Sequence, residues 1–295
     1  MKRVHVSLVA VMVVVAGLGG SGCIFAKPAP APEGIEDLTR FILDRFEIKE
    51  DTDVAVQNEE LAGAIVNLND ELEKLEVGVD KPYKSVLNDI EAEHVDDLSG
   101  MTDDKLEDLP LAQGLVIADV IDCSFEQNQN LLLGEKGPDI HPDVYAEYSK
   151  DFDDDVQPYA DGDKSQIFWD LDYKLKDPPV GSAYSAVARG GARRVDAIDD
   201  EKSPFGDVLI TRVHLPEPAE FESEGSEFTL DFQLETYHTN SDGKLLHLYA
   251  NWRRMKLGPV DSSQEVFINT SLDGMVDWDK ETEKACADGT ADSID

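Results

Sequence analysis

Residues 228–252 spell out a β-hairpin. Phe228, Leu230, Phe232 and Leu234 alternate with Thr229, Asp231 and Gln233, and after Asn240-Ser241-Asp242-Gly243 the chain returns through Leu246, Leu248, Ala250 and Trp252. A period of two is the strand repeat, and Gly243 supplies the positive φ that a tight turn needs. Trp169, Leu171, Tyr173 and Leu175 alternate in the same way with Asp170, Asp172, Lys174 and Lys176, so each of these strands is expected to be half-buried. Further strands are expected at 183–195 and 208–215. The run 115–121 is apolar on both sides apart from Asp119, which predicts a strand covered on both faces.

The first third reads differently. Leu38, Phe41, Ile42 and Phe46 share a helical face, and Leu61, Ile65, Leu68, Leu72 and Leu75 repeat at alternating spacings of four and three. Gly78 and Pro82 end that helix and are expected to start another carrying Tyr83, Val86, Leu87 and Ile90. Residues 35–110 therefore read as a helical subdomain, either a brace on the main domain or a surface for a partner. Two more helices are expected at 125–133 and 142–152, the second with Val144, Tyr145, Tyr148 and Phe152 on one side. Ser262-x-x-Glu265 offers a capping box for a last helix containing Ile268, Leu272, Met275 and Val276, although Val266-Phe267-Ile268 fits a strand equally well. Residues 288–295 read as a frayed acidic tail.

Charge excludes one class of partner. Against 63 Asp and Glu the chain has 26 Lys and Arg, a formal net charge of −37, which repels nucleic acid and anionic lipid surfaces. Apolar residues still make up 41% of the sequence, enough to build a core.

At the start, Met1-Lys2-Arg3 precedes an apolar stretch and the small residues Gly19-Gly20-Ser21-Gly22, the layout of a removable export signal over 1–22. Ser21-Gly22-Cys23 resembles the lipobox of bacterial lipoproteins, although Gly20 stands where a Leu is usual. The resemblance implies that Cys23 becomes a lipidated N-terminus, against the alternative of an ordinary signal cut near Gly22. Residues 23–34 contain a Pro/Ala-rich stretch, Ala26-Lys27-Pro28-Ala29-Pro30-Ala31-Pro32, expected to act as a semi-rigid tether. Ile24, where Asp would be the retention signal, resembles the sorting pattern of Gram-negative lipoproteins for the outer membrane, facing the periplasm. Two further cysteines, Cys123 and Cys286, would meet an oxidising compartment, where they either pair or remain as two buried free thiols.

The order of elements from Leu111 to Cys286 is strand, two helices, a run of antiparallel strands and one long helix. That order resembles the START-like helix-grip (SRPBCC) domains over roughly sixty per cent of the chain. The resemblance implies an α+β fold in which an N-terminal helical subdomain (35–110) precedes a domain (111–287) whose curved antiparallel sheet packs on a C-terminal helix. It further implies a cavity between sheet and helix for an apolar, lipid-like ligand, without shared catalytic residues. By the same resemblance Cys123, at the end of the first strand, lies near Cys286 on the last helix.

Familiar catalytic signatures are absent: there is no GxSxG, phosphate loop, HExxH or CxxC, and the single GxGxxG match at Gly17–Gly22 falls inside the export signal. Arg189-Gly190-Gly191-Ala192-Arg193 reads as a bulge or bend within a strand, its arginines paired with surplus carboxylates. Asp151, Asp153, Asp154, Asp155, Asp161 and Asp163 form a solvated loop or, alternatively, a calcium loop lacking the glycine and glutamate of an EF-hand. His94, His141, His214, His238 and His247 are expected to be structural or exposed; no metal site and no cofactor are expected. Trp169, Tyr173, Tyr184, Tyr249 and Trp252 are the candidate ligand-cavity residues, with Arg189 or Arg253 holding a ligand's polar end. The function expected is a membrane-anchored, non-catalytic envelope lipoprotein binding an apolar molecule. The alternative is an envelope lipoprotein that works through contacts with a protein partner the sequence does not identify.

Overall fold

Strand β2 (Gln113–Ile121) has a neighbour on each side, as its apolar run requires: β1 (Tyr83–Leu87) and β9 (Leu245–Leu257). In the computed structural model, which describes residues 28–49, 52–78, 81–176, 182–200, 203–222, 224–240 and 242–294, the sheet continues antiparallel from β9. Its next strands are β8 (Ser226–Thr239), β6 (Ser203–His214), β5 (Tyr184–Asp200), β4 (Gln166–Leu175) and β3 (Tyr145–Phe152). Two short strands, β7 (Glu220–Phe221) and β10 (Val260–Asp261), pair with β5 and β9.

Both faces of this sheet are covered around β2, whereas the outer sides of β3 and β4 expose Glu147, Asp151, Asp170 and Asp172. On one face Val116, Ala118, Phe232, Leu248 and Trp252 pack against α1 (Ile35–Asp44) and α2 (Val54–Lys74) through Leu38, Ile42, Phe46, Leu61, Ile65 and Leu68. On the other, Leu115 and Ile117 meet Leu272, Met275 and Val276 of the long C-terminal helix α7 (Glu265–Ala287). The first and last strands both reach α7: Lys84 of β1 lies 2.7 Å from Asp273, and the Tyr145 ring of β3 meets Trp278 edge-on at 6.5 Å. The sheet is thus curved around α7, the α+β architecture expected. The shorter helices α3 (Asp103–Asp108), α4 (Phe125–Leu133), α5 (Gly137–Ile140) and α6 (Gln157–Ala160) occupy connections. Asp53 caps α2 and Ser124 with Gln127 forms a capping box on α4.

Several local expectations give way to tertiary context. Residues 83–87 form a strand rather than a helix because β2 needs a partner; Tyr83 and Leu87, four apart, share a face in either geometry. Residues 145–152 form β3, not a helix. A register shift between Tyr145 and Glu147 puts Tyr145 on the same face as Tyr148 and Phe152, so a bulge turns helix-like spacing into one face of a sheet. Leu75 closes α2 in an exposed position instead of extending its buried seam. No side-chain cap starts α7: its N-cap is Gln264, while the Ser262 hydroxyl accepts from the Met255 amide. Gly190 and Gly191 keep regular register opposite Trp169 and Phe168. A Cβ on Gly190 would strike the Trp169 indole and one on Gly191 would sit 2.6 Å from Phe168, so these glycines admit aromatic rings rather than a bulge.

The front of the chain is part of the main body. Arg193 of β5, fully buried, donates to the Arg45 and Phe46 carbonyls at 2.8 and 3.1 Å and to Gln57 and Asn58 side chains at 2.6 and 2.5 Å, fastening α1 and α2 to the sheet. The segment expected as a tether is partly docked on α2: the Ala29 amide donates to Glu60 at 2.7 Å, and Asn67 donates to the Pro32 carbonyl at 2.8 Å. The C-terminal tail is docked too, with Ala291 buried beside Leu131 and its carbonyl accepting from Asn130 at 3.1 Å. Residues 1–27, including the segment expected as an export signal, Cys23 and Ile24, lie outside the described residues.

Candidate functional site

Strand alternation decides which side chains face α7. Across the β8–β9 pair, Asp231 is opposite Arg253, Gln233 opposite Asn251, Glu235 opposite Tyr249 and Tyr237 opposite His247. Across β2–β9, Asp119 is opposite His247. All lie on the α7 side, so the polar half of the hairpin pattern points inward instead of into solvent. Asp231, although only 5% exposed, is satisfied: Arg253 holds it bidentately at 3.0 and 3.1 Å and Gln233 donates to it at 2.5 Å. Burial works against the Arg253 charge, but Asp231 more than compensates and holds the guanidinium above its ordinary range.

Tyr173, Tyr184 and Tyr249 feel the charges of this ion pair, and further tyrosines pack on Tyr173. Tyr145 packs on Tyr148 at 5.0 Å and on Tyr173 at 6.1 Å, Tyr173 on Tyr184 at 6.2 Å, and Tyr184 on Phe228 at 5.6 Å, mostly edge to face. Burial pushes the Tyr148 and Tyr184 hydroxyls up to about 12, so they stay protonated donors. Tyr145, Tyr148, Tyr173, Tyr249 and Arg253 remain only half-buried, whereas their neighbours Phe228 and Met255 are closed off.

Beside this shell lies a second polar group that includes a residue of α7. His247 Nδ1 is 2.8 Å from Asp279 Oδ1, its ring stacks on Tyr237 at 4.3 Å, and the Tyr237 hydroxyl donates to Glu235 at 2.5 Å. Burial opposes the His247 charge, but Asp279, Glu235 and Asp119 outweigh it and raise its pKa. Burial raises Asp119 to about 6, and Asp279 and Glu283 add to the effect. Further along, buried Lys150 donates to the Leu132 carbonyl with its ammonium 4.2 Å from the Trp169 ring centre; burial brings its pKa down to about 7.

The candidates named from sequence divide between the two faces. Trp169, Tyr173, Tyr184 and Tyr249 lie on the α7 side. Trp252 and Arg189 do not join them, because strand parity turns both to the other face. Trp252 is fully buried against α1 and α2 and donates to the Asn88 carbonyl at 2.9 Å, while Arg189 pairs with Asp153 and with Asp170 at 3.3 Å. His238 pairs in register with Leu246, so it is Tyr237, not His238, that meets His247. Cys123 and Cys286 form a disulfide that ties the end of α7 to the chain just after β2.

In the acidic loop, Asp154 pairs with Lys164 at 3.0 Å and Asp161 accepts from Gln157 at 2.7 Å. Among the described residues no group of three or more His, Cys, Asp or Glu is placed to hold a metal ion, and no helix is long and apolar enough to cross a membrane. Sequence reasoning missed Asp119, Tyr145, Tyr148, Lys150, Asp231, Glu235, Tyr237 and Asp279. The available signal was β2: a strand apolar on both sides means that both sheet faces are covered, so the polar positions of its neighbours are interior as well.

No protein-family model matches the chain, and no curated protein does. Solved structures give distant similarities. The human StarD13 (DLC2) lipid transfer and protein localization domain aligns with a TM-score of 0.41 at 9% identity, over 75% of this chain and 95% of that one. A STAR-related lipid transfer protein fragment from Xanthomonas axonopodis aligns at 0.35 and 14% identity, over 70% and 90%. Ginseng major latex-like protein 151 from Panax ginseng aligns at 0.30 and 13% identity, over 60% and 98%.

Proposed function

We propose that this protein is an envelope lipoprotein, anchored through a lipid on Cys23, that binds an amphipathic, lipid-like molecule between the sheet and α7 without altering it covalently. The supporting observation is the half-buried tyrosine shell around the Arg253–Asp231 pair. Tyr145, Tyr148, Tyr173 and Tyr249 offer aromatic faces to an apolar body, and Arg253 with Gln233 offers donors to a polar group, the pairing of apolar walls with a few placed polar groups that small-molecule sites use. A wholly apolar guest would leave this polar side unmatched, so the ligand class is narrower than a simple hydrocarbon.

Native mass spectrometry of the full chain after mild extraction tests the binding half. A retained mass of a lipid-like compound, weakened at least tenfold in exchange assays by Tyr173→Ala, is expected; an empty protein that takes up no lipid from mixed phospholipid and fatty-acid micelles would refute it. Labelling with an alkyne palmitate analogue tests the anchor: incorporation lost in Cys23→Ser is expected, and an unlabelled wild type would refute it.

A further inference from the structure

The sheet has two free edges, and they are finished differently. At one end, β3 carries a register shift between Tyr145 and Glu147, and the Val144 carbonyl just ahead of the strand accepts from the Lys176 amide. At the other end, β1 pairs with β2 in unbroken register from Tyr83 to Leu87 and has no partner strand on its outer side among the described residues. In an antiparallel strand alternate residues direct their amide and carbonyl away from the paired neighbour, so β1 presents a row of donors and acceptors. A bulge, a proline or a lysine projecting from the edge would normally blunt it. β1 has neither of the first two, and its single lysine, Lys84, is drawn onto Asp273 of α7.

Beside this edge runs a groove. Two cavities, of about 450 and 630 Å³, have Arg40 and Asn88 in both linings: the first lies against β1 between Leu75 and Val86, and the second lies past the end of the strand, against Ile90, Leu106 and Pro110. Val86 is 50% exposed and Leu75 is 41% exposed on this path. The lining charge is one-sided: Glu33, Glu36, Asp37, Glu71, Asp89 and Glu91 line the two cavities with one base, Arg40, which is engaged by Glu36 at 3.1 Å and Asp37 at 2.8 Å, while Glu71 holds Lys74 at 2.8 Å.

We infer that this groove is a docking site for an extended, basic segment of a partner protein, which adds to the sheet as a strand antiparallel or parallel to β1. Main-chain hydrogen bonds to the edge would supply affinity, Val86, which shares the α7 face with its partner Leu115, would meet the apolar side chains on that face of the added strand, and the acids beside α1 and α2 on the other face would select Lys and Arg at the alternate positions. A second copy of this chain is the wrong occupant, because pairing two β1 edges would bring two such acidic grooves together. The inference is independent of any ligand under α7.

The experiment uses the full chain in detergent and a fluorescent eight-residue peptide alternating Lys and Val. Saturable binding is expected, with a midpoint at least tenfold weaker in 0.5 M NaCl and at least tenfold weaker for Glu33→Lys/Asp89→Lys, two exposed positions whose reversal leaves the core untouched. Amide hydrogen exchange across residues 83–88 is expected to slow in the complex, and the same peptide with alternate backbone nitrogens methylated is expected to lose binding. Absence of saturable binding, equal binding of the methylated peptide, or protection that appears elsewhere and not in β1 would each overturn the inference. Concentration-dependent dimerisation with protection of residues 83–88 in the absence of peptide would overturn it in favour of a second copy.

Discussion

Replacing Asp119 by Asn tests whether the polar layer under α7 is held at a cost. Asp119 is 6% exposed, accepts from the Val120 amide at 2.8 Å, and is opposite His247 with Asp279 and Glu283 nearby. Burial is the main reason its pKa rises from 3.8 to about 6. A folded-state pKa above the unfolded one means that the native protein retains the proton longer. The contribution to stability is therefore complete below about pH 4 and is lost as pH rises through about 6. At 1.4 kcal/mol per pH unit the interval corresponds to roughly 3 kcal/mol, and solvent screening lowers the expected effect to about 2 kcal/mol. Asn keeps the acceptor for Val120 and cannot ionise. Urea unfolding of Asp119→Asn and wild type should therefore give variant-minus-wild-type stabilities about 2 kcal/mol more favourable to the variant at pH 8 than at pH 4. A difference that stays constant between these pH values, or one that favours wild type at pH 8, would refute the account of Asp119 as a strained carboxylate.

Three further outcomes follow from the packing. Reducing the Cys123–Cys286 bond, or Cys286→Ser, should cost about 3–5 kcal/mol for a closed loop of this size, seen as a lower urea midpoint in reductant; an unchanged midpoint refutes it. Gly190→Ala should destabilise by about 1–3 kcal/mol through the clash with Trp169, with Trp169→Phe in the same chain recovering part of the loss in thermal melts; no loss on Gly190→Ala refutes the packing argument. Lys150 has a folded-state pKa depressed from 10.5 to about 7, so wild type loses stability as pH falls through that range. Lys150→Met should accordingly gain on wild type between pH 9 and pH 6 in urea titrations, and a pH-independent difference would show that the amine is solvated.

Most strands were legible because their patterns are intrinsic: β8 and β9 follow the period of two almost residue for residue, and Asn240 accepts from the Asp242 and Lys244 amides in the turn between them. What misled was spacing that two geometries share. Tyr83 and Leu87 suit a helix or a strand, and only the need of β2 for a neighbour decides between them. At β3 a bulge imitated a helical interval between Tyr145 and Tyr148, which no local signal distinguishes. Of the site, the tyrosines were visible as aromatic residues on strands, but strand parity separated Trp252 and Arg189 from them. Asp231 and Glu235 were hidden by the habit of assigning polar alternation to solvent.

The two faces of the sheet explain why such a polar interior can be tolerated. The apolar residues that stabilise the fold most directly, Trp252, Phe232, Leu248 and Ile210, pack toward α1 and α2, where Arg193 fastens the helices from the sheet side. With that face closed, stability does not depend on a dry contact along the whole of α7, whose apolar packing is concentrated on Leu115 and Ile117 of β2. The remaining length of α7 is held at its C-terminal end by the disulfide and near its middle by the His247–Asp279 pair. Strands β3 and β4 are thereby left to present half-buried tyrosines rather than closed aliphatic packing. The helical front of the chain is in this sense a condition for the site: it carries the hydrophobic packing on one side so that the opposite side can be polar, aromatic and partly open.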